Sequence, residues 1–467
     1  CDAEILRRLK QRTLAKLRRE IAPVEAAALA DFLYRWHGLD KPGRGMGALR
    51  EVVAQLEGAA VSWRTLVHQL LPARVEDFHL DMLDMLSATG QVTWIGVAPS
   101  GATDGWIMLL RREQAAALVP PAEAFQPRTE AEQHIVQHLQ HRGASFAAEL
   151  SAAAGLQDQQ ELESVLWDLV WAGQITNDTF QPLRTLERPR TRRQHRHGPN
   201  APSMLAGRWT RVQDLFANAS SPALAAPGAA FHPSLGSETN TTGHDAQTRR
   251  AHAHTHMLLQ RYGVVSREAP QHEPLVRGFR DVYAVLQTME RAGRVRRGHF
   301  VTGLSGAQFA YPAAVEQLRA GANRRSVAPS GAQVLAAQDP ANIYGALLPW
   351  PQRHDASLPT PKRKSGAWLI QHQGHPLAYL EANARSLHTF AHLHDNADTW
   401  PVLIDGLRHV AAAQRSNALY LEKIDGKPAR QAPVAPTLLE AGFVADHKRL
   451  TLIPEAAPSP EASALPR

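Results

Sequence analysis

The chain has 467 residues, more than one compact core accommodates, and we expect roughly three to five domains. Apolar residues make up 44% of it, and 51 basic residues against 44 acidic ones leave a net charge of +7. A single cysteine, Cys1, excludes a disulfide framework within the chain and a zinc site built from thiolates. With no apolar run of about eighteen residues and no signal-peptide pattern, the sequence predicts a cytoplasmic protein without a membrane partner.

The N-terminus starts without Met and directly in a basic helical pattern. Ile5, Leu6 and Leu9 recur at helical spacing, with arginine and lysine residues between them. We interpret this start as that of a piece of a longer polypeptide; the alternative is a processed or trimmed N-terminus.

Three segments repeat one pattern: an amphipathic helix, a glycine, a β-branched residue and strand-like alternation. The glycines are Gly90, Gly173 and Gly293, and a weaker fourth copy surrounds Gly442. Apolar residues stand four and seven positions before each of the first three glycines, and eleven before the last two. They are Leu83, Leu86, Leu162, Leu166, Leu169, Val282, Leu286 and Met289. This spacing makes one helical stripe, and a glycine cap that leads into a β-hairpin is the ending of a winged-helix unit.

The second and third copies predict complete winged-helix modules. In the second, helices are expected at about 129–140, 145–154 and 159–172, with a wing at about 174–184. In the third, helices are expected at about 249–262, 264–269 and 276–292, with wing strands at about 294–301 and 307–311. The predicted fold class is mainly α with small β-hairpins, in tandem winged-helix modules over 1–119, 120–186 and 248–322.

The stretch 187–247 has a different composition. It contains a basic run, RPRTRRQHRHG (188–198), and a segment rich in Ala, Ser, Pro, Gly and Thr (219–247). Little in it can be buried, so we predict a linker, whose basic run either holds phosphates or is a solvated tether.

Residues 323–455 predict a C-terminal α+β domain with a mostly antiparallel sheet. Helices are expected at about 400–413 and 434–441. The strand candidates are Trp368–Gln371, Leu377–Leu380, Leu419–Lys423 and Leu450–Ile453. The Pro-rich tail 456–467 is predicted to be disordered.

The third wing concentrates side chains suited to nucleic acid. Guanidinium groups neutralise phosphates, aromatic faces stack on exposed bases, and the tip TGLSG (302–306) is short enough for its amides to approach a phosphate. The predicted nucleic-acid contacts are Arg294, Arg296, Arg297, Phe300, Gln308, Arg324 and Arg325. Alternatively, the aromatic residues belong to the core and the arginines only solvate an edge or a loop.

Long stretches closely resemble the C-terminal region of bacterial large helicase-related (Lhr) proteins. They are RYGVVSRE (261–268), GFRDVYAVLQTMERAGRVRRGHFVTGLSGAQFAYP (278–312), DPANIYGALLPWP (339–351) and LYLEKIDGKP (419–428). The stretches LADFLYRWHGL (29–39) and LLPARVEDF (70–78) look like the preceding module of the same family.

The resemblance implies a parent that is a DNA-repair helicase, an ATPase that translocates and unwinds in the 3′-to-5′ sense. Such a motor needs a phosphate loop of the form G-x-x-x-x-G-K-[ST], which this sequence does not contain. We therefore expect no cofactor in this chain, with ATP and Mg²⁺ belonging to the parent. The implied partner is single-stranded or lesion-containing DNA, with RNA as an alternative.

Lhr C-terminal regions also resemble tandem winged-helix DNA glycosylases of the AlkZ type, which position water with a Gln-x-Gln motif. The matching place here reads Trp36-His37-Gly38, so the motif is absent as written. The resemblance implies that His37 orients water and that Trp36 stacks on a flipped base, with uracil as the first lesion to test. Asp425, after the strand in EKIDG, is a second catalytic candidate. The alternatives are a helix-end histidine and a turn aspartate.

No metal site is predicted. The alternating His252, His254 and His256 do not share a helix face, and no acidic or cysteine partner stands nearby.

Three hypotheses follow. The chain is a nucleic-acid-binding region of a repair helicase, a base-excision enzyme, or a scaffold through which copies of the chain form homo-oligomers.

Overall fold

The computed structural model describes residues 22–119, 125–187, 203–217, 241–324 and 331–454. They form two compact units. The larger one takes in Arg35–Arg319, and the smaller one combines Val24–Tyr34 with the chain from Ala320 onward.

The first module of the larger unit ends in the expected glycine-capped helix and hairpin. Its elements are α2 (Gly45–Leu56), β1 (Val61–Ser62), α3 (Trp63–Thr65) with a π-helical turn at Leu66–Leu70, α4 (Leu80–Ala88), β2 (Val92–Pro99), β3 (Gly105–Arg111) and α5 (Arg112–Leu118); helix α1 (Ala26–Trp36) precedes them. Leu83 and Leu86 are fully buried, and Gly90 has φ +67°. The sheet order is β1-β3-β2.

The second module differs from its prediction in the wing. Its elements are α6 (Glu130–Arg142), β4 (Ser145–Phe146), α7 (Ala147–Ala154), α8 (Gln159–Trp171), β5 (Ile175–Asn177), α9 (Gln181–Leu186), β6 (Arg208–Arg211) and α10 (Asp214–Ala217). A helix replaces the predicted second wing strand, and the strand that pairs with β5 is β6, from the stretch predicted as linker. Trp209 anchors β6 because its side chain is fully buried. In the sequence it is a single aromatic residue among polar neighbours, a pattern that does not indicate a strand. The basic run 188–198 lies outside the described residues.

The third module follows its prediction more closely. Its elements are α11 (Thr241–Tyr262), β7 (Val264–Val265), a 3₁₀ turn (Ala269–His272), α12 (Phe279–Arg291), β8 (Arg296–Gly298), β9 (Gln308–Ala310) and α13 (Pro312–Arg324). Both wing strands are confirmed, whereas the short helix expected at about 264–269 is wrong: β7 and the 3₁₀ turn stand there.

All three modules share one sheet topology. The orders are β1-β3-β2, β4-β6-β5 and β7-β9-β8, so the last strand of each module lies in the middle. Gly173 and Gly293 have φ +66° and +69°, the left-handed conformation that ends each helix before its strand. The prediction of tandem winged-helix modules is confirmed.

The first two modules pack closely through glycine. A Cβ on Gly105 would lie 2.1 Å from the ring of Trp171, and one on Gly96 would lie 2.5 Å from the Val170 carbonyl oxygen. Hairpin β2–β3 therefore lies directly on α8, which a side chain at either glycine would prevent.

The smaller unit is the predicted α+β domain. Its larger sheet runs β10-β11-β12-β13-β15-β16, with β10 (Gln333–Ala336), β11 (Trp368–His372), β12 (His375–Leu380), β13 (Ser386–Thr389), β15 (Lys423–Ile424) and β16 (Lys427–Pro428). Its other elements are α14 (Ala391–Asp395), α15 (Trp400–Ala413), α16 (Ala435–Glu440) and the sheet of β14 (Leu419–Leu421), β17 (Val444–Ala445) and β18 (Leu450–Leu452). Every pairing is antiparallel except β13 with β15.

One strand prediction needs correction here, and two strands of the larger sheet were missed. The single strand expected over Leu419–Lys423 is two strands in two different sheets, because β14 pairs with β18 and β15 pairs with β13. Strands β10 and β13 were not predicted, since each carries polar residues at buried positions. The tail 456–467 lies outside the described residues.

Helix α1 packs in the smaller unit over the turn between β11 and β12. Gly374 has φ +80°, and a Cβ there would lie 1.9 Å from the Ala27 carbonyl oxygen. The Asp31 carboxylate accepts a hydrogen bond from Gln333 at 2.8 Å. This carboxylate, which lies near His37 in sequence, therefore has a structural partner.

A buried histidine joins α11 to the first module. The Nε2–H of His254 donates to the Leu118 carbonyl at 2.8 Å. Burial lowers the pKa of His254, and the Leu118 carbonyl opposes this only in part, so the ring is neutral at pH 7.

Acidification should therefore destabilise this unit through His254. The unfolded histidine, with a pKa of about 6.5, takes up a proton before the folded one does, so stability present above that pH is lost as pH falls below it. Urea unfolding at pH 7.5 and 5.5 measures the loss. His254→Gln keeps a donor without titrating and should reduce that loss; an unchanged pH dependence would contradict the assignment.

Candidate nucleic-acid interface

The wing of the third module presents three arginines to solvent. Arg294, Arg296 and Arg297 are all exposed, and they follow directly on the Gly293 cap. In the β8–β9 pairing Arg296 stands opposite Ala310 and Arg297 opposite Phe309. The three arginines predicted to meet phosphate are thus open to solvent, two of them on a short, paired strand and Arg294 just before it.

Two of these arginines have weak protein partners. The Arg297 guanidinium lies 5.9 Å from the centre of the buried Phe309 ring, and Arg296 lies 3.6 Å from Glu316. Both members of the Arg296–Glu316 pair are more than half exposed, so water screens it and it contributes less than about 1 kcal/mol. A phosphate can therefore compete for either guanidinium.

Gln308 and Phe300 have structural roles, which corrects the prediction that they contact nucleic acid. Gln308 is fully buried; its Oε1 accepts from the Phe300 and Val301 amides at 2.8 and 2.9 Å, and its Nε2 donates to the Val301 carbonyl. Phe300 is only 7% exposed. Together they hold the wing in shape and leave no face for a base.

The wing tip also differs from its prediction. The Ser305 amide donates to the Glu268 carboxylate at 3.0 Å, and the Ser305 hydroxyl binds the same oxygen. This amide is occupied by a carboxylate, which would repel a phosphate. The arginine strand, and not the tip, is the part of the wing suited to a nucleic-acid backbone.

Trp36 and His37 are built into the junction between the first and third modules. Trp36 is half-buried, and its Nε1–H donates to the Gln260 carbonyl at 2.7 Å. His37 is buried, with Nε2 at 2.8 Å from the Arg261 carbonyl oxygen and Nδ1 at 3.1 Å from the Arg74 guanidinium. Because a carbonyl only accepts and a guanidinium only donates, both ring nitrogens are engaged. This geometry fits the helix-end alternative and does not support a water-orienting role for His37.

Arg261 is the centre of this junction. It is fully buried, forms an ion pair with Glu273, and donates to the backbone carbonyl of Glu57. Burial lowers the pKa of Arg261, but the charge of Glu273, its hydrogen bond and the charges of Tyr262 and Glu57 together outweigh burial and raise the pKa overall. The Tyr262 hydroxyl binds the other Glu273 oxygen at 2.8 Å.

In the smaller unit, Asp425 is the acceptor of a polar cluster. It follows β15 with φ +48°, as a turn residue before glycine does. Its Oδ1 accepts from the Thr389 amide at 2.8 Å and lies 3.5 Å from the Arg353 guanidinium. Its Oδ2 accepts from the Thr389 hydroxyl at 2.7 Å. The turn places this carboxylate beside Thr389, at the end of β13.

His394 continues the cluster towards the surface. Its Nε2 lies 2.9 Å from the Thr389 hydroxyl oxygen, and its ring stacks at 3.6 Å on the exposed His354. Since the Thr389 hydroxyl donates to Asp425, Nε2–H of His394 donates to Thr389, and Nδ1 is left as an acceptor. Burial and then His354 lower the pKa of His394, so this acceptor is available at pH 7.

The sequence placed Asp425 among the candidates but missed its partners. Arg353, Thr389 and His394 are far from it in the chain and come together only through the parallel β13–β15 pair. The one available signal was a polar pair, His388-Thr389, inside a segment whose other residues favour a strand.

Two further predicted contacts, Arg324 and Arg325, stay predictions. Arg324 ends α13, and Arg325 lies outside the described residues. Within the described part of the chain, no group of three or more His, Cys, Asp or Glu residues could hold a metal ion. None of the described helices is long and apolar enough to span a bilayer.

The repeated sheet order and the glycine-capped helices define a tandem winged-helix protein with an attached α+β unit. Residues 24–112 and 244–330 each match a family profile described as large helicase-related protein, winged-helix domain. The chain therefore contains two winged-helix domains of the large helicase-related (Lhr) family and is similar to the C-terminal part of Lhr proteins.

Two curated relatives cover nearly all of the chain. It is 33% identical over 468 residues to a Lhr helicase/probable uracil glycosylase of Mycolicibacterium smegmatis, and 33% identical over 482 residues to the Lhr helicase/uracil glycosylase of Escherichia coli. The alignments cover 95% and 94% of this chain, which spans only 29% of the length of each relative.

Among solved structures, the chain is similar to the DNA glycosylase AlkZ of Streptomyces sahachiroi. The TM-score is 0.46 at 13% sequence identity, with 84% of this chain and 97% of that chain covered.

The Arg261 junction generates a stability prediction. Glu273→Gln leaves a buried guanidinium without its counter-charge, so we expect a loss of about 3–5 kcal/mol in the free energy of unfolding, measured with urea. The control is Glu316→Gln, which removes an exposed partner of Arg296 and should cost less than about 1 kcal/mol. Equal stability of the two variants would contradict the central role of Arg261.

Proposed function

We propose that this chain binds DNA as the C-terminal region of a repair helicase, and that the third wing makes the principal contact. The observation that carries the proposal is the row of three exposed arginines in and just before β8, in a wing whose shape buried Gln308 holds. Three guanidinium groups displace condensed counterions from the backbone, which favours affinity without requiring a particular sequence. The first and third modules both match Lhr winged-helix profiles, which supports the same function.

Replacing Arg294, Arg296 and Arg297 together by Gln should weaken DNA binding and its salt dependence. Each phosphate contact contributes about 0.9 to the slope of log K against log salt, so the slope should become shallower by about 2–3. Fluorescence anisotropy with a labelled duplex that carries a 3′ single-stranded tail measures both quantities.

A matched control replaces three exposed arginines of the other unit, Arg385, Arg408 and Arg430, by Gln. It removes the same charge, so equal effects of the two triple variants would argue for a nonspecific charge effect and against the wing.

RNA binding, homo-oligomeric assembly and a cytoplasmic location are further parts of this proposal. An unlabelled RNA of the same sequence as competitor tests the first, and light scattering at high protein concentration tests the second.

A second candidate function is excision of a base, with uracil as the first substrate to test. The names of the two curated relatives include uracil glycosylase, and the Asp425 cluster offers chemistry that suits it. Neutral His394 has an acceptor nitrogen for a water proton, and Thr389 connects the ring to the Asp425 carboxylate. Such an arrangement can hold water against the positive charge that develops on a sugar.

The test is an oligonucleotide panel of uracil, alkylated and oxidised bases, incubated with the chain in the absence of ATP. Abasic sites should form on one lesion, and Asp425→Asn or His394→Ala should lower the rate about 10²–10⁴-fold. His37→Ala is the comparison variant, which should affect stability more than chemistry because both ring nitrogens have structural partners. Background cleavage across the panel would reject base excision while leaving DNA binding unaffected.

A further inference from the structure

A cavity of about 870 Å³ opens between helices α11 and α12, apart from the wing strands. The part of α11 that lines it includes Gln247, Arg250 and His254, at the three- and four-residue spacing of one helix face. Arg277, from the segment before α12, and Arg280, from its first turn, complete the basic lining. Three guanidinium groups from two parts of the chain thus line one space.

Arg250 is the least satisfied of the three. Its Nε is buried and makes no hydrogen bond to any residue that the structure describes. A buried guanidinium donor without an acceptor is costly, and a ligand oxygen would remove that cost.

The charges around the cavity are unbalanced. Burial and then the nearby charge of Arg277 lower the pKa of Arg250, so these two groups repel each other. Among the described residues that line the cavity, Asp281 is the only acidic one. An anion between the arginines would turn this repulsion into attraction.

Helix α11 connects the cavity to the wing. His252 lines the cavity, and its ring lies 4.4 Å from that of His256. His256 in turn is hydrogen-bonded at 2.8 Å to Tyr311, just after β9, and Arg294 contributes to lowering its pKa, behind the larger effects of burial and His252. Polar contacts therefore lead from His252, in the lining of the cavity, through His256 to the wing.

We propose that Arg250, Arg277 and Arg280 bind a phosphate group in this cavity, and that it is a backbone phosphate of the same DNA that the wing contacts. A phosphodiester suits the cavity because its oxygens only accept hydrogen bonds and guanidinium groups only donate them. The inference rests on the proposed DNA binding and adds a second anchoring point to it.

The test uses the full chain and the double variant Arg250→Gln, Arg280→Gln. Neither side chain makes a side-chain hydrogen bond that the structure records, so the fold should survive, which an unchanged urea midpoint would verify. With the tailed duplex and several salt concentrations, we expect affinity to fall about tenfold and the salt slope to become shallower by about 1–2.

Two further variants test whether DNA affinity follows the charge of the cavity. Asp281→Asn removes the acidic group of the cavity and should tighten binding about twofold or more. Arg250→Lys keeps the charge and should lose less affinity than Arg250→Gln. Combined with the wing triple variant, the cavity variant should lower the slope further, since separate phosphate contacts add.

The outcomes separate this inference from the proposed function. If the wing variant weakens binding and the cavity variant does not, the cavity assignment is overturned and DNA binding stands. If the unmodified chain binds no DNA, the proposed function fails and the cavity assignment fails with it. Calorimetry with inorganic pyrophosphate tests the other source of phosphate. If pyrophosphate binding requires Arg250 but DNA affinity does not, the ligand of the cavity is a free anion and the backbone assignment is overturned.

Discussion

The buried charge of Arg261 is the constraint on which the larger unit depends. A guanidinium without exposure to water needs a counter-charge and acceptors, and these come from different parts of the chain: Glu273 in the third module and the Glu57 carbonyl in the first. The backbone carbonyl of the same arginine receives His37. One side chain thereby ties the first module to helix α11, which begins the module that carries the arginine wing.

This arrangement separates two populations of arginine by their surroundings. Arg74 and Arg261 are buried and donate hydrogen bonds to protein acceptors, so they act within the scaffold. Arg294, Arg296 and Arg297 are exposed and only weakly paired, so their charge is available to a ligand. The residue type is the same in both sets. Burial decides which of them can contribute to binding.

The same distinction explains what could be predicted from the sequence. Helix stripes and glycine caps are local, so helices α8, α12 and α15 and the strands of the third wing were predicted to within three residues. Strand β6 and the partners of Asp425 depend on contacts between residues distant in sequence, which periodicity does not encode. Gln308 and Phe300 were misassigned for a related reason: a polar or aromatic residue on a wing can face either solvent or the core, and only the tertiary structure shows which.

The polar residues of β13 have the strongest claim to a role beyond stability. A strand in a buried sheet is cheaper to build from apolar residues, yet His388 and Thr389 stand there and require Arg353, Glu381 and Asp425 to satisfy them. Arg353 itself keeps a buried Nε with no hydrogen-bond partner among the described residues. A network that is incompletely satisfied is worse for folding than an apolar core. Its position beside a solvent-facing histidine pair is the reason why the proposed base excision is assigned to this network.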